Sequence, residues 1–249
     1  MQKSEDIEVK EIKIISPYEQ EEVLTSGNTE IDKKMGGGIP VGSLTLIEGP
    51  NDCGKSVLTQ QIMWGGLQQG FTIASYTTEN TIKSLLKQMS SLGLDVSDYF
   101  ILGRLKIYPI RVKGAEWVEN FPFLKFIIND LRRKKEEVII IDSLTVFVSH
   151  SGENEILDFF TACKNICDNG KTILITVHDY AFGEDMLTRV RSICDAHLSL
   201  RMEEIGDRLI KTMEVAKIRG AQRTTGNIIS FEVEPEYGLR IIPVAKAKA

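Results

Sequence analysis

Apolar residues fall along this chain in two alternating rhythms. Short runs of mainly aliphatic and β-branched residues occupy positions 43–47, 71–77, 105–110, 138–141 and 172–177. Between them, apolar positions recur at helical spacing: Val57, Leu58, Ile62 and Met63; Ile82, Leu85, Leu86, Met89 and Leu92; Leu124, Ile127, Ile128 and Leu131; Ile156, Phe159, Phe160, Cys163 and Ile166. The first rhythm predicts strands and the second helices. A run such as Val138-Ile139-Ile140-Ile141 suits a strand covered on both faces, as in a parallel sheet. From about residue 193 the pattern becomes short alternating runs at 194–202, 208–219, 226–233 and 238–243, separated by Gly206, Gly220 and the turn Glu236-Tyr237-Gly238. These predict an antiparallel meander. The fold class is therefore α/β, a mainly parallel central sheet flanked by helices, with antiparallel strands at its C-terminal edge.

The N-terminal residues 1–25 are of mixed charge with one apolar stretch, Ile12-Lys13-Ile14-Ile15, and predict an arm or short edge strand. Residues 26–249 form a single domain in this reading. Ser26 or Asn28 can cap a short helix that Gly36-Gly37-Gly38 ends, leading into the first core strand. The stretches 146–154 and 179–188 read as loops. The third helical stripe ends in Arg132-Arg133-Lys134-Lys135, which suits the negative end of a helix and reads as a solvated terminus, with a docking patch as the alternative.

Composition narrows the classes. A chain of 249 residues with 42% apolar content can bury the core of one large α/β domain. Its net charge of −5 weighs against nucleic acid as the main partner. The four cysteines form no disulfide framework, so a reducing cytoplasm is expected. Cys163 and Cys167 read as small core residues on a helix rather than as half of a zinc site. The charged first ten residues are no signal peptide, and no apolar run approaches the ~20 residues of a membrane span. Membrane association is expected only through partners.

The candidate chemistry centres on Gly49-Pro50-Asn51-Asp52-Cys53-Gly54-Lys55-Ser56, which fits the phosphate-binding pattern G-x-x-x-x-G-K-[ST]. A strand pattern precedes it and a helical one follows, the context the motif needs. Glycines let successive N–H groups turn inward toward phosphate oxygens, and the helix N-terminus adds partial positive charge. The segment from Gly49 through Val57 is therefore assigned to a nucleotide, ATP, with Lys55 at the β- and γ-phosphates and Ser56 at Mg²⁺. Asp142, closing the apolar run 138–141, is the natural second metal-side group.

Ser143, not an acid, follows Asp142, so another group must activate water if hydrolysis occurs. Glu79 follows the second strand, which in a parallel sheet opens at the edge where ligands bind. It can act as general base or simply open the next helix. His178 ends the strand at 172–177 at the same edge, as a γ-phosphate sensor or a structural histidine. Lys217 and Arg219 share one face of a strand, as a solvated pair or as a finger toward a neighbouring subunit's nucleotide.

Taken together these residues resemble the RecA superfamily, more narrowly its KaiC-like branch, over residues 26–243. The entry "SGNTEIDKKMGGGIPVGSLTLIEGPNDCGKS" is similar to that branch's approach to its P-loop. Glu79 falls where the family keeps a catalytic glutamate, and "KIRG" resembles its Lys-x-Arg element acting in trans. "GPNDCGKSVLTQQ" with "TTEN" is similar to the archaeal flagellar (archaellum) accessory family within the branch. That resemblance implies a cytoplasmic ATP-binding protein forming a homo-oligomeric ring, a hexamer, which works with the motor ATPase FlaI and other motor components beneath the membrane. Two departures set expectations for turnover. Asn80 stands where a second glutamate is common, and Asp52 and Cys53 replace the family's usual small loop residues. A carboxylate near phosphates opposes anion binding unless it points away, so hydrolysis is expected to be weak. A vigorous RecA-type ATPase is the alternative. A DNA-binding recombinase is a third reading, set last because 146–154 and 179–188 lack basic clusters.

Overall fold

The computed structural model describes residues 22–110, 122–205, 208–220 and 227–242. The expected strand at Ile12–Ile15 lies outside them. Val23–Leu24 (β1), at the end of the expected arm, pairs antiparallel with Ile39–Pro40 (β2), and Leu24 is fully buried. Between them Asn28 caps Thr29–Lys34 (α1), its side-chain oxygen accepting from the Glu30 and Ile31 N–H groups. Then follow Leu44–Gly49 (β3), Lys55–Gln69 (α2), Ile73–Thr77 (β4), Ile82–Ser91 (α3), Ser97–Ile101 (α4) and Leu105–Pro109 (β5). The next elements are Phe123–Leu131 (α5), Val138–Asp142 (β6), Thr145–Val148 (α6), Glu153–Asp168 (α7) and Thr172–His178 (β7). Glu184–Ile193 (α8), Ala196–Ile205 (β8), Arg208–Ile218 (β9), Ile228–Glu234 (β10) and Gly238–Ile241 (β11) complete the described chain.

The main sheet has nine strands in the order β11-β10-β9-β8-β3-β7-β6-β4-β5. From β8 to β5 the pairs are parallel, and β9, β10 and β11 extend the sheet antiparallel, as the patterns predict. Alternate side chains feed two cores. Ile47, Ile73, Ile140 and Leu174 face α2, α3 and the first-half elements. Leu44, Leu46, Ile139, Ile141 and Ile173 face α5, α7 and α8. Covering both faces explains why the strand runs carry no polar alternation. Helix α2 is enclosed, with Leu58, Ile62, Met63 and Leu67 all buried. Its Gly65 meets the chain after β1 so closely that an added Cβ would lie 2.4 Å from Thr25 O and 2.5 Å from Gly27 N. Only glycine permits that crossing.

Two expected loops are largely helical. The stretch 146–154 contains most of α6 and the start of α7, and 179–188 contains a 3-10 turn at Asp179–Ala181 and the start of α8. Met186, Leu187 and Val190 pin α8 to the sheet, a three-residue stripe too short to stand out in the sequence. At the end of α5, Lys134 is more than a solvated cation. It pairs with Asp130 at 3.0 Å and lies 3.8 Å from the Tyr108 ring centroid. Cys163 and Cys167 are buried on the core face of α7, in keeping with their reading as core residues.

Helix α8 is also held by charge. Glu48, one residue before the end of β3, is buried and accepts from the Nε and Nη2 of Arg191 on α8. His197 Nε2 on β8 lies 3.1 Å from the same carboxylate. Burial works to raise the Glu48 carboxyl, but His197 and Arg191 outweigh it and hold the group below its usual range. Arg191→Met should cost about 2–3 kcal/mol at neutral pH, less than a fully enclosed pair because Arg191 keeps 33% of its side chain exposed. In the wild type, the contribution of this depressed carboxyl is present above the ordinary value of 4.5 and is lost as pH falls through the folded value. In the variant the carboxylate keeps only His197 beside it and is relieved by protonation. The stability gap in urea unfolding should therefore narrow on acidification; a gap independent of pH would rule out the ion pair as its cause.

Candidate nucleotide-binding site

The site begins where β3 runs out. Gly49 has φ of +152°, and a Cβ there would lie 2.3 Å from Leu200 O and 2.8 Å from Cys53 Sγ. Asp52 and Gly54 are also left-handed, at φ of +60° and +100°. These turns bring the chain back over the strand end so that α2 starts at Lys55 with its free N–H groups toward the loop. Lys55 is only 5% exposed, and its ammonium donates to Gly49 O at 2.8 Å and Pro50 O at 2.6 Å. Cys53 is fully buried beneath the loop. Burial pushes its thiol up, against the pull of Lys55, so the residue is a packing group.

Asp142, half-buried at the end of β6, accepts from Thr176 Oγ1 at 2.7 Å and Ser56 Oγ at 3.2 Å. Burial holds its carboxyl above the usual range, the two hydroxyls pull it down, and the charge of Glu79 raises it. A carboxylate so placed gains from a cation beside it. Among the described residues no three His, Cys, Asp or Glu side chains form a group able to hold a metal ion. The donors Ser56 and Asp142 suit a small hard cation that takes its remaining ligands from phosphate and water. Glu79 is exposed at the cavity rim and precedes the helix start: Thr81 caps α3, in a reciprocal pair with Ser84. Asn80 N–H donates to Thr77 Oγ1, and its Oδ1 accepts from Ser84.

His178 sits at the end of β7 in a short relay. Thr145 Oγ1 accepts from the His178 N–H at 2.9 Å, and Ser143 Oγ donates to the same oxygen at 2.8 Å. Ser143 Oγ itself accepts from the Thr145 N–H at 3.1 Å. The Thr145 hydroxyl proton is thus left for His178 Nδ1, 3.0 Å away. The hydrogen-bond network assigns the ring proton to Nε2. Tyr180 stacks on the imidazole at a centroid distance of 5.2 Å.

These groups line one cavity of about 600 Å³, bounded by Asn51, Asp52, Gly54, Lys55, Ser56, Val57, Glu79, Asn80, Asp142, Ser143 and His178. Gly49, Pro50 and Cys53 shape the loop from behind. The structure adds Gln88 from α3, Lys211 from β9 and Val233 from β10. No local motif marks those three; sheet order brings Lys211 and Val233 to the loop, and the placement of α3 brings Gln88. Lys217 and Arg219 do not line this cavity. Lys217 pairs across the ladder with His197, which is level with Leu46 near the middle of β3. Its ammonium donates to Arg191 O and Cys194 O, while Arg219 donates to Ser192 O and pairs with Asp195 at 3.6 Å. Both cations thus gather at the C-terminal end of α8, where carbonyls favour them.

A parallel sheet with this loop at the end of β3 and an acid closing β6, one strand further on with β7 between them, defines a RecA-type P-loop nucleotide-binding fold. A family profile described as "ATPase: KaiC" matches residues 24–246. The archaeal flagellar ATP-binding protein FlaH of Sulfolobus acidocaldarius is 34% identical over 91% of this chain and all of its own length. FlaH of Methanocaldococcus jannaschii is 30% identical over 85% of this chain and 91% of the relative. The crystal structure of the flagellar accessory protein FlaH from that organism superposes with a TM-score of 0.75 at 28% identity, covering 86% of this chain and 96% of that one. This chain belongs to the KaiC-type ATPase family and, within it, to the archaeal FlaH proteins.

Burial lowers the His178 imidazole from its usual 6.5, Lys55 lowers it further, and Asp142 and Asp179 oppose both. An NMR titration of His178 should give a midpoint below 6.5 that moves up in Lys55→Ala. Because the fold disfavours the charged ring, His178 withdraws stability as pH falls from 6.5 through the folded value. A wild-type midpoint at or above 6.5 would contradict this account of the site.

Proposed function

We propose that this chain is an ATP-binding accessory subunit of the archaellum motor. In this reading residues 26–249 form one ATP-binding domain in the cytoplasm, reaching the membrane only through partners and not engaging nucleic acid. The observation that carries it is the convergence on one cavity of Lys55, the Ser56–Asp142 pair, Glu79 and His178. The names of the FlaH relatives support both the ATP and the archaellum.

The loop from Gly49 to Val57 would hold the phosphates through backbone N–H groups, with Lys55 as the buried cation. Ser56 and Asp142 would hold Mg²⁺, which when bound neutralises phosphate charge. Glu79, exposed and free of the α3 cap, would orient a water and take its proton. His178 would offer its Nε2 proton to the terminal phosphate. Asn80 bonds to Thr77 and Ser84 and supplies no second acid, which supports slow hydrolysis and a regulatory role over a vigorous motor ATPase.

The subunits would assemble into a ring, a hexamer, that acts with the motor ATPase FlaI in archaellum assembly or rotation. Support for a contact in trans is the position of Lys217 and Arg219, outside their own cavity. A ligand they reach at a nucleotide site is then a neighbour's.

In calorimetry the wild type should bind ATP and Lys55→Ala at least tenfold more weakly, about 1.4 kcal/mol. Turnover in the same samples should stay near or below about one per minute, against ~10 s⁻¹ for a typical enzyme. Equal affinities would remove the site assignment, and several turnovers per second would favour the motor reading. For assembly, light scattering with ATP, ADP or neither should show an ATP-dependent oligomer. Lys217→Ala with Arg219→Ala should bind ATP as a folded monomer. A double variant that assembles like the wild type would leave the pair as a helix-end cap only.

A further inference from the structure

We infer that Lys211 is a second phosphate-facing cation of the nucleotide site, supplied by β9 of the same chain, and that it compensates the carboxylate of Asp52. The inference rests on the nucleotide reading above.

The position is built. Lys211 stands opposite Phe231 in the β9–β10 ladder, and Phe231 is buried. A Cβ placed on Gly54 would meet the Phe231 ring at 3.1 Å and Lys211 Cδ at 3.6 Å, so both side chains lie against the loop. The Lys211 ammonium donates to the backbone oxygen of Asp52 and lines the same cavity as Lys55 and Ser56. Asp52 is exposed, lines that cavity, and is held left-handed at φ of +60°.

The chemistry follows from charge. An acid in the loop repels a polyphosphate, and of the loop's own side chains only Lys55 offsets it. A second ammonium within the cavity removes that deficit. Lysine has three donors on a flexible stem, so it can keep the Asp52 carbonyl while a second proton reaches a phosphate oxygen. Two cations on separate elements also confine the anion between the loop and the sheet extension. The sequence hides this because Lys211 lies in an ordinary alternating strand 156 residues beyond Lys55.

The test is calorimetric binding of ATP, ADP and AMP to the full chain and to Lys211→Met, Lys211→Arg, Asp52→Asn and the Lys211→Met/Asp52→Asn double variant. Lys211→Met should weaken ATP at least tenfold, ADP severalfold, and AMP less than threefold. Lys211→Arg should stay within threefold of the wild type. Asp52→Asn should tighten ATP and recover most of the loss in the double variant. Wild-type ATP affinity in Lys211→Met overturns the inference. So does an equal loss for all three nucleotides that Asp52→Asn does not restore, the signature of a loop clamp alone. Lys55→Ala separates the two levels. If the wild type binds no ATP, or Lys55→Ala binds as well as the wild type, both readings fall. If Lys55→Ala loses ATP while Lys211→Met keeps it, only this inference falls.

Discussion

A buried ammonium sets the terms for the rest of this structure. Lys55 is almost wholly enclosed, and a cation in such a place is costly unless acceptors surround it. The carbonyls of Gly49 and Pro50 meet it, and they point inward only because the loop turns through left-handed conformations. Those turns require a glycine where β3 ends, since Leu200 O leaves no room for a Cβ. Strand β8, which carries Leu200, is therefore part of the loop's geometry, although it is remote in sequence.

The next strand, β9, ties the loop to the cations at the end of α8. Strand β9 carries Lys211 against the loop and Lys217 at the C-terminal end of α8. The six residue steps from one to the other span roughly 20 Å of strand. A second route runs through charge. Lys217 donates to the carbonyl of Arg191, whose side chain holds Glu48, the residue before Gly49. A subunit's own phosphate loop and the pair proposed to face its neighbour thus share both a strand and a buried ion pair.

The unusual loop residues take on different roles. Cys53 turns away into the core, where a thiol fills space and stays protonated. Asp52 remains at the cavity, with its carbonyl bonded to Lys211. One departure from the family pattern is therefore a matter of packing, and the other bears on charge at the site.

Much of this was legible in the residues alone. The β3 run, Gly49 to Ser56 and the start of α2 lie within one stretch, where local rules of turn, strand and helix suffice. The run ending in Asp142 and the meander beyond residue 193 were legible for the same reason, since burial on both faces and period-two alternation leave distinct patterns. The short helices α4, α6 and α8 were not, because four to ten residues with at most three buried apolar side chains leave too weak a period. Nor could sequence say whether Glu79 caps the next helix. That needed Thr81 as the cap of α3, which leaves Glu79 at the cavity rim. Lys211, Thr145 and Tyr180 became visible only in three dimensions. Strand order and side-chain contact bring them to the site from separate segments, and no local spacing encodes which strand lies beside which.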